Sequence, residues 1–346
     1  LSTERATPVF HWRCQFGVFG GYERPNVLSW ASTSEVPADF AETAVTIGKF
    51  DGVHLGHQAL LSRVVDLAEE NLFAAVALTF DRHPDALLNP TECKLPLIGP
   101  AQKAVLLREA GIDATLTLTF DEALAAMSPQ AFVQQILVDS LKAKIVVVGE
   151  GFRFGNKGSG TVETLRELGS ALGFRVFVIP QVNIGGEPVS TTRVRELLDH
   201  GKVVAAAALL GRNHITTGVI EHGLKIGRTI GFPTANMSRD CEGFLPLDGV
   251  YAGWLYADDE KYPAAHSVGI NETFQAVPRL VESFVLDRYD LDRRRHYQQE
   301  THGFAPENWQ LMAELGLLAA PLPESCGGLG LDGTSLAVLS EALGRG

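Results

Sequence analysis

Several features common in other classes of protein are missing from this sequence. Its four cysteines, Cys14, Cys93, Cys241 and Cys326, form no CxxC pair, so neither a zinc knuckle nor a disulfide framework is predicted. No apolar run is long enough to span a membrane. The formal net charge of -12 argues against a general nucleic-acid binder, because affinity for a phosphate backbone depends on clustered Lys and Arg. We therefore expect no membrane or nucleic-acid partner, and we infer no obligate protein partner.

The N-terminal region gives no targeting signal. Residues 1–27 contain charges, Pro and aromatic residues but no continuous apolar core, so they do not resemble a signal peptide. We interpret residues 1–28, which begin with Leu, as an upstream extension or a fragment boundary of unknown role. With scattered cysteines and no signal peptide, the chain is expected in the cytoplasm. Its 346 residues, 45% of them hydrophobic, predict two or three globular domains.

Residues 43–200 alternate between β-type and helical patterns. Helical spacing occurs at Leu60, Val64, Leu67 and Ala68, for example. The strand candidates are mostly apolar throughout, as in strands that are buried on both faces: AVTIGKF (44–50), FAAVALTF (73–80), ATLTLTF (114–120), KIVVVG (144–149) and FRVFVIP (174–180). This alternation predicts an α/β domain with a parallel, Rossmann-like sheet covered by helices on both faces.

The pattern changes after residue 212. Short strand candidates, HITTGVIE, GVYAGWLYA and LVESFVLD, are separated by Gly, Pro and Asp turns with almost no helical periodicity. They predict a small antiparallel β-barrel over residues 213–287. From about residue 301 a helical pattern returns around a Pro- and Gly-rich turn, in a segment too short to be a stable domain alone.

The segment GKFDGVHLGH (48–57) lies where the first predicted strand meets the first helix, the position at which open parallel sheets bind ligands. Glycines allow close approach of a phosphate, and the helix start offers free N–H groups. His54 and His57 could then stabilise charge that grows in a transition state. Two alternatives remain open: a metal site with Asp81 and His83 of TFDRHP, or a simple turn with solvated histidines.

Two further junctions favour phosphate chemistry. VVGEGFRFGNKGSG (147–160) is a second Gly-rich loop at a strand end, and VSTTRVREL (189–197) places hydroxyl groups and arginines before a helix. The second segment could equally be a helix cap with an exposed basic face. Neither segment contains the P-loop pattern GxxxxGK[ST], and no GxGxxG completes a dinucleotide fingerprint. Three phosphate-friendly loops without those signatures indicate nucleotidyl transfer.

Taken together, GKFDGVHLGH, TFDRHP, VVGEGFRFG and VSTTRVR resemble the adenylyltransferase module of prokaryotic bifunctional riboflavin kinase/FAD synthetases, over about residues 29–287. The resemblance implies that FMN attacks ATP to give FAD and pyrophosphate, with Mg²⁺, while His54 and His57 hold the ATP phosphates as catalytic residues. It also implies a larger set of contacts. The ATP-binding residues are Gly48, Phe50, Asp51, Gly52, Gly56, Ser190, Thr191, Thr192 and Arg195, and the flavin-binding residues are Asp81, His83, Pro84, Phe152 and Phe154.

A second motif, GRTIGFPTAN (227–236), resembles the riboflavin kinase signature. Thr234 and Asn236 are two apart, so in an extended segment both can offer oxygen to one Mg²⁺, although a polar turn after Pro233 has the same pattern. Glu282 is a carboxylate in an otherwise apolar strand, which suits either a general base or a salt bridge at the rim. The resemblance implies that Glu282 activates riboflavin toward the γ-phosphate of ATP.

The sequence departs from the family pattern in three places. Gly151 stands where the family commonly has Asn or Asp, and Glu272 replaces the proline of GTNPTF. After YDLD (289–292) the closing strand and helix of the kinase domain are missing, which predicts an incomplete barrel with an unpaired edge. Residues 293–346 instead resemble the N-terminal start of an acyl-CoA dehydrogenase, through WQLMAELGL and its neighbours.

These departures leave three hypotheses for function. We expect domains at 29–200 (FMN adenylyltransferase) and 201–292 (riboflavin kinase), followed by a helical tail at 293–346. The chain carries out both reactions, only adenylyl transfer, or neither, as an inactive flavin- or nucleotide-binding fragment. No dehydrogenase activity is expected, and we interpret the change near residues 292–300 as a junction artefact. ATP, FMN and riboflavin are the expected small-molecule substrates.

Overall fold

The computed structural model describes most of the chain between residues 11 and 285. The described residues are 11–15, 27–83, 85–88, 91, 94–221, 234–238, 240–257, 260–269, 279–285 and 310. At residues 11–15, 85, 88, 221, 234, 257 and 260 only the backbone is described. Contacts divide the chain into a sheet unit (20–195 with 209–211) and a barrel unit (1–19, 196–208 and 212–346).

The sheet unit contains six parallel strands in the order β2-β5-β4-β3-β6-β7. These strands are β2 (Leu28–Trp30), β3 (Thr43–Ile47), β4 (Ala74–Phe80), β5 (Ala114–Leu118), β6 (Ala143–Gly149) and β7 (Arg175–Ile179). Five of them confirm the strands predicted from the apolar runs. The short strand β2, which pairs with β5 at one edge, was not predicted.

Helices and short turns connect these strands or follow the last of them. They are α1 (Leu55–Asn71), α2 (Asp85–Leu88), α3 (Pro100–Glu109), α4 (Glu122–Ala126), α5 (Pro129–Phe132), a π-helix (Val133–Ser140), α6 (Val162–Leu172), α7 (Thr191–Asp199) and α8 (Val203–Leu210), with 3-10 turns at Thr33–Glu35 and Asn156–Gly158 and a hairpin of β8 (Asn183–Ile184) and β9 (Glu187–Pro188). The residues described include no helix of sufficient length and apolarity to cross a bilayer.

The sheet is buried because helices cover it. Val45, Val76 and Val146 are fully buried on the three central strands and share one hydrophobic core. Helix α1 buries Leu61, Val64, Leu67 and Ala68, the spacing expected for one apolar face. The all-apolar sequence of these strands therefore reflects burial on both faces, as predicted.

The barrel unit is a closed antiparallel barrel in the order β1-β10-β11-β14-β13-β12. Its strands are β1 (His11–Gln15), β10 (Ile215–Glu221), β11 (Thr234–Met237), β12 (Gly249–Ala257), β13 (Glu260–Gly269) and β14 (Leu280–Val285). The barrel core includes Met237, Leu255, Ala264, Val268 and Val281. The predicted antiparallel barrel is thus present.

The expectation of an incomplete barrel is wrong, because the barrel is closed by a strand from the upstream segment. The sequence predicts a barrel without a closing strand and with an unpaired edge. In the structure β1, from the upstream segment, pairs with β10 on one side and with β12 on the other. Such pairing over about 200 residues leaves no local sequence signal, which is why the strand escaped prediction.

Candidate active site

The strand order places a topological switch point beside β3. The chain runs from β3 outward through β4 to β5 on one side, and later through β6 to β7 on the other. In open α/β sheets, ligands bind at the carboxyl ends of the strands on either side of such a point. GKFDGVHLGH follows β3 and GEGFRFG follows β6, so both predicted loops begin at this edge.

The two histidines of GKFDGVHLGH lie together at the start of α1. His54 is the N-cap residue, and its Nδ1 accepts a hydrogen bond from the backbone N–H of His57 at 3.3 Å. The two imidazole rings stack with their centroids 3.8 Å apart, and His54 is 6% exposed. Two imidazole rings at the positive end of a helix form a site suited to an anion.

The backbone of this loop is tightly constrained. Phe50 and Val53 have positive φ angles of 49° and 38°, and Gly52 has a φ of 82°. A Cβ atom at Gly52 would lie 2.8 Å from the side chain of Leu97, and one at Gly56 would lie 3.1 Å from the His54 ring. The two glycines therefore permit the close turn that brings the histidines together.

A buried ion pair supports the same loop from behind. Arg195 Nη2 donates to Asp51 Oδ2 at 3.1 Å, and the backbone N–H of Leu97 donates to Asp51 Oδ1 at 2.7 Å. Arg195 is 8% exposed and also donates to the carbonyl of Leu95. Burial raises the pKa of Asp51, opposed by the Leu97 hydrogen bond and the Arg195 charge. Asp51 and Arg195 therefore fix the loop from inside the protein.

The hydroxyl groups at the start of α7 differ in their surroundings. Ser190 Oγ accepts from the backbone N–H of Arg193 at 3.2 Å, which caps the helix. Thr191 Oγ1 donates to the carbonyl of Asp51 at 3.1 Å, whereas Thr192 is exposed. The guanidinium group of Arg193 forms an ion pair with the carboxylate of Glu187 at 3.1 Å. Thr191 thus joins the start of α7 directly to the loop after β3.

The TFDRHP loop at the end of β4 is also charged. Asp81 accepts a backbone hydrogen bond from Phe120 at 2.9 Å and pairs with Arg82 at 3.1 Å. Burial alone would raise the pKa of Asp81, but these hydrogen bonds lower it. His83 Nε2 lies 2.6 Å from Lys49 Nζ, which brings this loop against the one after β3.

The aromatic residues of GEGFRFG have different surroundings. Phe154 is 6% exposed and lies in the hydrophobic core, while Phe152 is partly exposed and packs against that core. Their rings stack with centroids 5.5 Å apart. Phe152 is therefore the better placed of the two to contact a ligand. A Cβ atom at Gly151 would have no neighbour within 4 Å, so a side chain would fit there.

Sequence reasoning did not single out Lys103, on α3. Its Nζ donates to the carbonyl of Phe80, the last residue of β4, at 3.2 Å. Burial lowers its pKa, opposed by the charges of Asp51 and Asp81. A lysine in a helix gives no sequence signal of such a contact, because its partner Phe80 belongs to a separate segment of the chain.

The metal alternative for the histidines receives no support. Within the described ranges, no group of three or more His, Cys, Asp and Glu side chains is arranged to hold a metal ion. His54 Nδ1 is engaged by the backbone of the helix instead. The geometry of the loop thus favours an anion over a cation.

In the barrel unit, β11 and β14 bring two predicted residues together. Asn236 is the register partner of Glu282, and Ser267 on β13 pairs with Glu282 from the other side. Register partners in an antiparallel pair lie on the same face, about 5 Å apart. Residue 234 lies on β11 two positions before Asn236.

The chemistry of this row fits a hard cation and a base. Asn236 Oδ1 is a buried oxygen without a hydrogen-bond partner among the described residues. Burial raises the pKa of Glu282, which makes its carboxylate a stronger base. An amide oxygen of this kind suits Mg²⁺, whose preferred ligands are oxygen atoms.

Some predicted features fall outside the described residues. They are Pro84, the side chain of Thr234, most of GRTIGFPTAN, Glu272 and the tail at 293–346 apart from Gln310.

Comparison with known families gives three matches. The FAD synthetase family matches residues 36–193, and the riboflavin kinase family matches residues 210–304. The N-terminal domain of acyl-CoA dehydrogenase matches residues 271–346, so residues 271–304 are common to the last two matches. The resemblances identified from the motifs are confirmed.

Individual relatives agree with these matches. The chain is 34% identical over 245 residues to a bifunctional riboflavin kinase/FMN adenylyltransferase of Listeria monocytogenes, covering 70% of this chain and 77% of the relative. It is 33% identical to the enzyme of the same description from Escherichia coli, covering 70% and 78%. A solved structure from Streptococcus pneumoniae, described as a macrolide-efflux protein, is 30% identical with a TM-score of 0.67, covering 75% and 84%.

Proposed function

Because the chain belongs to the family of bifunctional riboflavin kinases/FMN adenylyltransferases, we propose that its sheet and barrel units divide the two reactions between them. The function is the synthesis of FAD from FMN and ATP, together with phosphorylation of riboflavin to FMN. Residues 29–200 carry adenylyl transfer and residues 201–292 carry riboflavin phosphorylation. The observation that supports the first assignment best is the stacked pair of histidines at the start of α1.

In adenylyl transfer, a phosphate oxygen of FMN attacks the α-phosphorus of ATP. The new P–O bond forms as the bond to the β-phosphate oxygen breaks, and pyrophosphate leaves. Little covalent chemistry is required of the protein, so it contributes position and charge stabilisation. His54 and His57 bind the phosphates whose negative charge increases as pyrophosphate departs. The N–H groups at the start of α1 add to this stabilisation.

The remaining phosphate contacts divide into direct and supporting roles. Thr192, which is exposed, and the backbone around Gly48 and Gly56 contact the triphosphate directly. Asp51 and Arg195 hold the loop in shape, because both are buried and bonded to each other. The shape of the loop is also supported by Ser190, Thr191, Phe50 and Gly52. Arg195 thus supports phosphate binding through the shape of the loop.

The residues assigned to the flavin come from the loops after β4 and β6, the two strands that flank β3. Asp81 and His83 follow β4, the neighbour of β3, and contact the FMN substrate with Pro84. Phe152 offers an aromatic face for the isoalloxazine ring, and Phe154 supports it from the core. Such stacking suits a planar, electron-poor ring.

In the barrel unit, Glu282 removes the proton from the 5′-hydroxyl of riboflavin. The freed oxygen attacks the γ-phosphorus of ATP, a new P–O bond forms, and ADP leaves. Thr234 and Asn236 would hold Mg²⁺, which neutralises charge on the phosphates when it is bound. The register pairing of Asn236 with Glu282 keeps the base beside the metal ligands.

Two assays test this division. FMN with MgATP should give FAD, and riboflavin with MgATP should give FMN and then FAD. FAD from FMN but none from riboflavin would restrict the function to the sheet unit. Absence of product in both assays, from a chain shown to be folded by circular dichroism, would refute the proposal.

A further inference from the structure

At the C-terminal ends of β3 and β4, positively charged side chains outnumber the carboxylates. Asp51 is paired with Arg195, and Asp81 is paired with Arg82. Lys103 adds a further cation, and the part of the chain that the structure describes places no carboxylate within ion-pair distance of it. A surplus cation at a ligand-binding edge favours an anion.

The position of Lys103 places its charge at the end of β4. The ammonium group donates to the carbonyl of Phe80 at 3.2 Å, and the charges of Asp51 and Asp81 act on it from the two adjacent loops. An ammonium group has three N–H donors, and Phe80 takes one of them. Among the residues that the structure describes, no other acceptor for this group is found, so two donors remain for an acceptor that approaches between the loops.

A partly buried ammonium group loses hydration, which is costly unless a partner of opposite charge compensates for it. Desolvation lowers the pKa of Lys103, so its burial weakens the charged form instead of stabilising the fold. A methionine of similar length would pack there without that cost. Lys103 is therefore better explained by a ligand than by stability.

Two anions meet in adenylyl transfer, and their positions differ. The triphosphate is assigned to the histidines at the start of α1, after β3. Lys103 instead contacts the end of β4, the strand whose loop carries the assigned flavin residues Asp81 and His83. Lys103 thus shares the end of β4 with two residues assigned to the flavin, which favours the phosphate monoester of the flavin over the triphosphate.

We propose that Lys103 binds the phosphate of FMN and holds it for attack on the α-phosphorus of ATP. This inference rests on the proposed adenylyl transfer. The ammonium group would screen the repulsion between two phosphate groups that must come into contact. It would also distinguish FMN from flavins that lack the phosphate.

The test compares Lys103→Met with Lys103→Arg and with Arg108→Met, a control on the same helix. We expect Lys103→Met to raise the KM for FMN about tenfold to a hundredfold, because a charged hydrogen bond is lost, and to leave the KM for ATP unchanged. Lys103→Arg should recover part of the loss. Arg108→Met should match the unchanged chain in both constants.

Thermal unfolding without substrates separates binding from folding. The Tm of Lys103→Met should equal or exceed that of the unchanged chain, since a desolvated charge is removed. A lower Tm with equal losses for FMN and ATP would assign Lys103 a structural role and overturn the proposal. A raised KM for ATP alone would also overturn it. Failure of the unchanged chain to form FAD would refute adenylyl transfer itself, which distinguishes the two failures.

Discussion

The sheet unit and the barrel unit fix their reactive groups by different means. In the sheet unit the histidines lie on a loop whose shape depends on a side-chain pair, Asp51 and Arg195, far apart in sequence. In the barrel unit Asn236 and Glu282 lie on strands, and the backbone ladder sets their spacing. A site on a loop therefore depends on its supporting side chains, whereas a site on paired strands depends on register.

Removal of Arg195 should have the largest effect, and only on the sheet unit. Arg195→Met leaves the buried Asp51 without its partner, which we expect to cost about 3–5 kcal/mol in the free energy of unfolding. Urea denaturation measures this loss in the free energy of unfolding. The exposed Arg166→Met is the matched control and should change stability by less than about 0.5 kcal/mol.

The double variant Asp51→Asn, Arg195→Met sharpens this test. Because it removes both charges, it should regain a large part of the lost stability. Equal stability of Arg195→Met and the unchanged chain would show that the pair does not support the loop.

The histidine pair should be next in effect. His57→Ala removes a group that we propose stabilises the departing pyrophosphate, so FAD formation from FMN should fall about 10²- to 10³-fold. FMN formation from riboflavin, which uses the barrel, should not change. Separate assays of the two products measure this, with the exposed His200→Ala as control. Undiminished FAD synthesis would remove His57 from the mechanism.

The reciprocal change is Glu282→Gln in the barrel unit. Loss of a general base should slow riboflavin phosphorylation about 10²-fold, while FAD formation from supplied FMN continues. The pH profile adds a second readout. Because burial raises the pKa of Glu282 and the base acts when ionised, kcat/KM for riboflavin should decline with falling pH at a higher pH than an ordinary glutamate would give.

In Glu282→Gln this acidic decline should disappear from the residual activity. If the glutamine variant kept both the rate and the decline, another group would be the base.

The smallest expected effect concerns Gly151, in the loop after β6. The space beside it is open and its φ is not positive, so Gly151→Asn should be tolerated without strain. A regained amide contact is worth about 1 kcal/mol at most, which corresponds to a decrease of a few-fold in KM for ATP or FMN. Steady-state kinetics measure this change. An increase in either KM would show that the position needs glycine.

The sheet was predictable from sequence because its strands are buried on both faces and apolar throughout. The barrel was predictable only in part. β13 contains Lys261, Pro263 and His266, so its composition does not resemble a buried strand, although His266 is fully buried in the structure. Strands that alternate between core and surface carry a weaker signal than strands covered on both sides.

The candidate site was predictable to the extent that motifs lie at strand ends. His54, His57 and Asp51 belong to one short segment, so their proximity follows from the chain itself. The pairing of Asp51 with Arg195 and the approach of Lys103 to Phe80 join residues from separate segments. Composition and periodicity carry no information about such contacts, because they arise only when the sheet has assembled.

The pairing of β1 has a consequence for the order of folding. All strands of the sheet lie between Leu28 and Ile179, so this sheet can form while later parts of the chain are still being synthesised. The barrel cannot close in that way, because its first strand must wait for partners about 200 residues later, ending with β12. Under the proposed division of the two reactions, the ability to adenylate FMN would therefore arise during synthesis before the ability to make it.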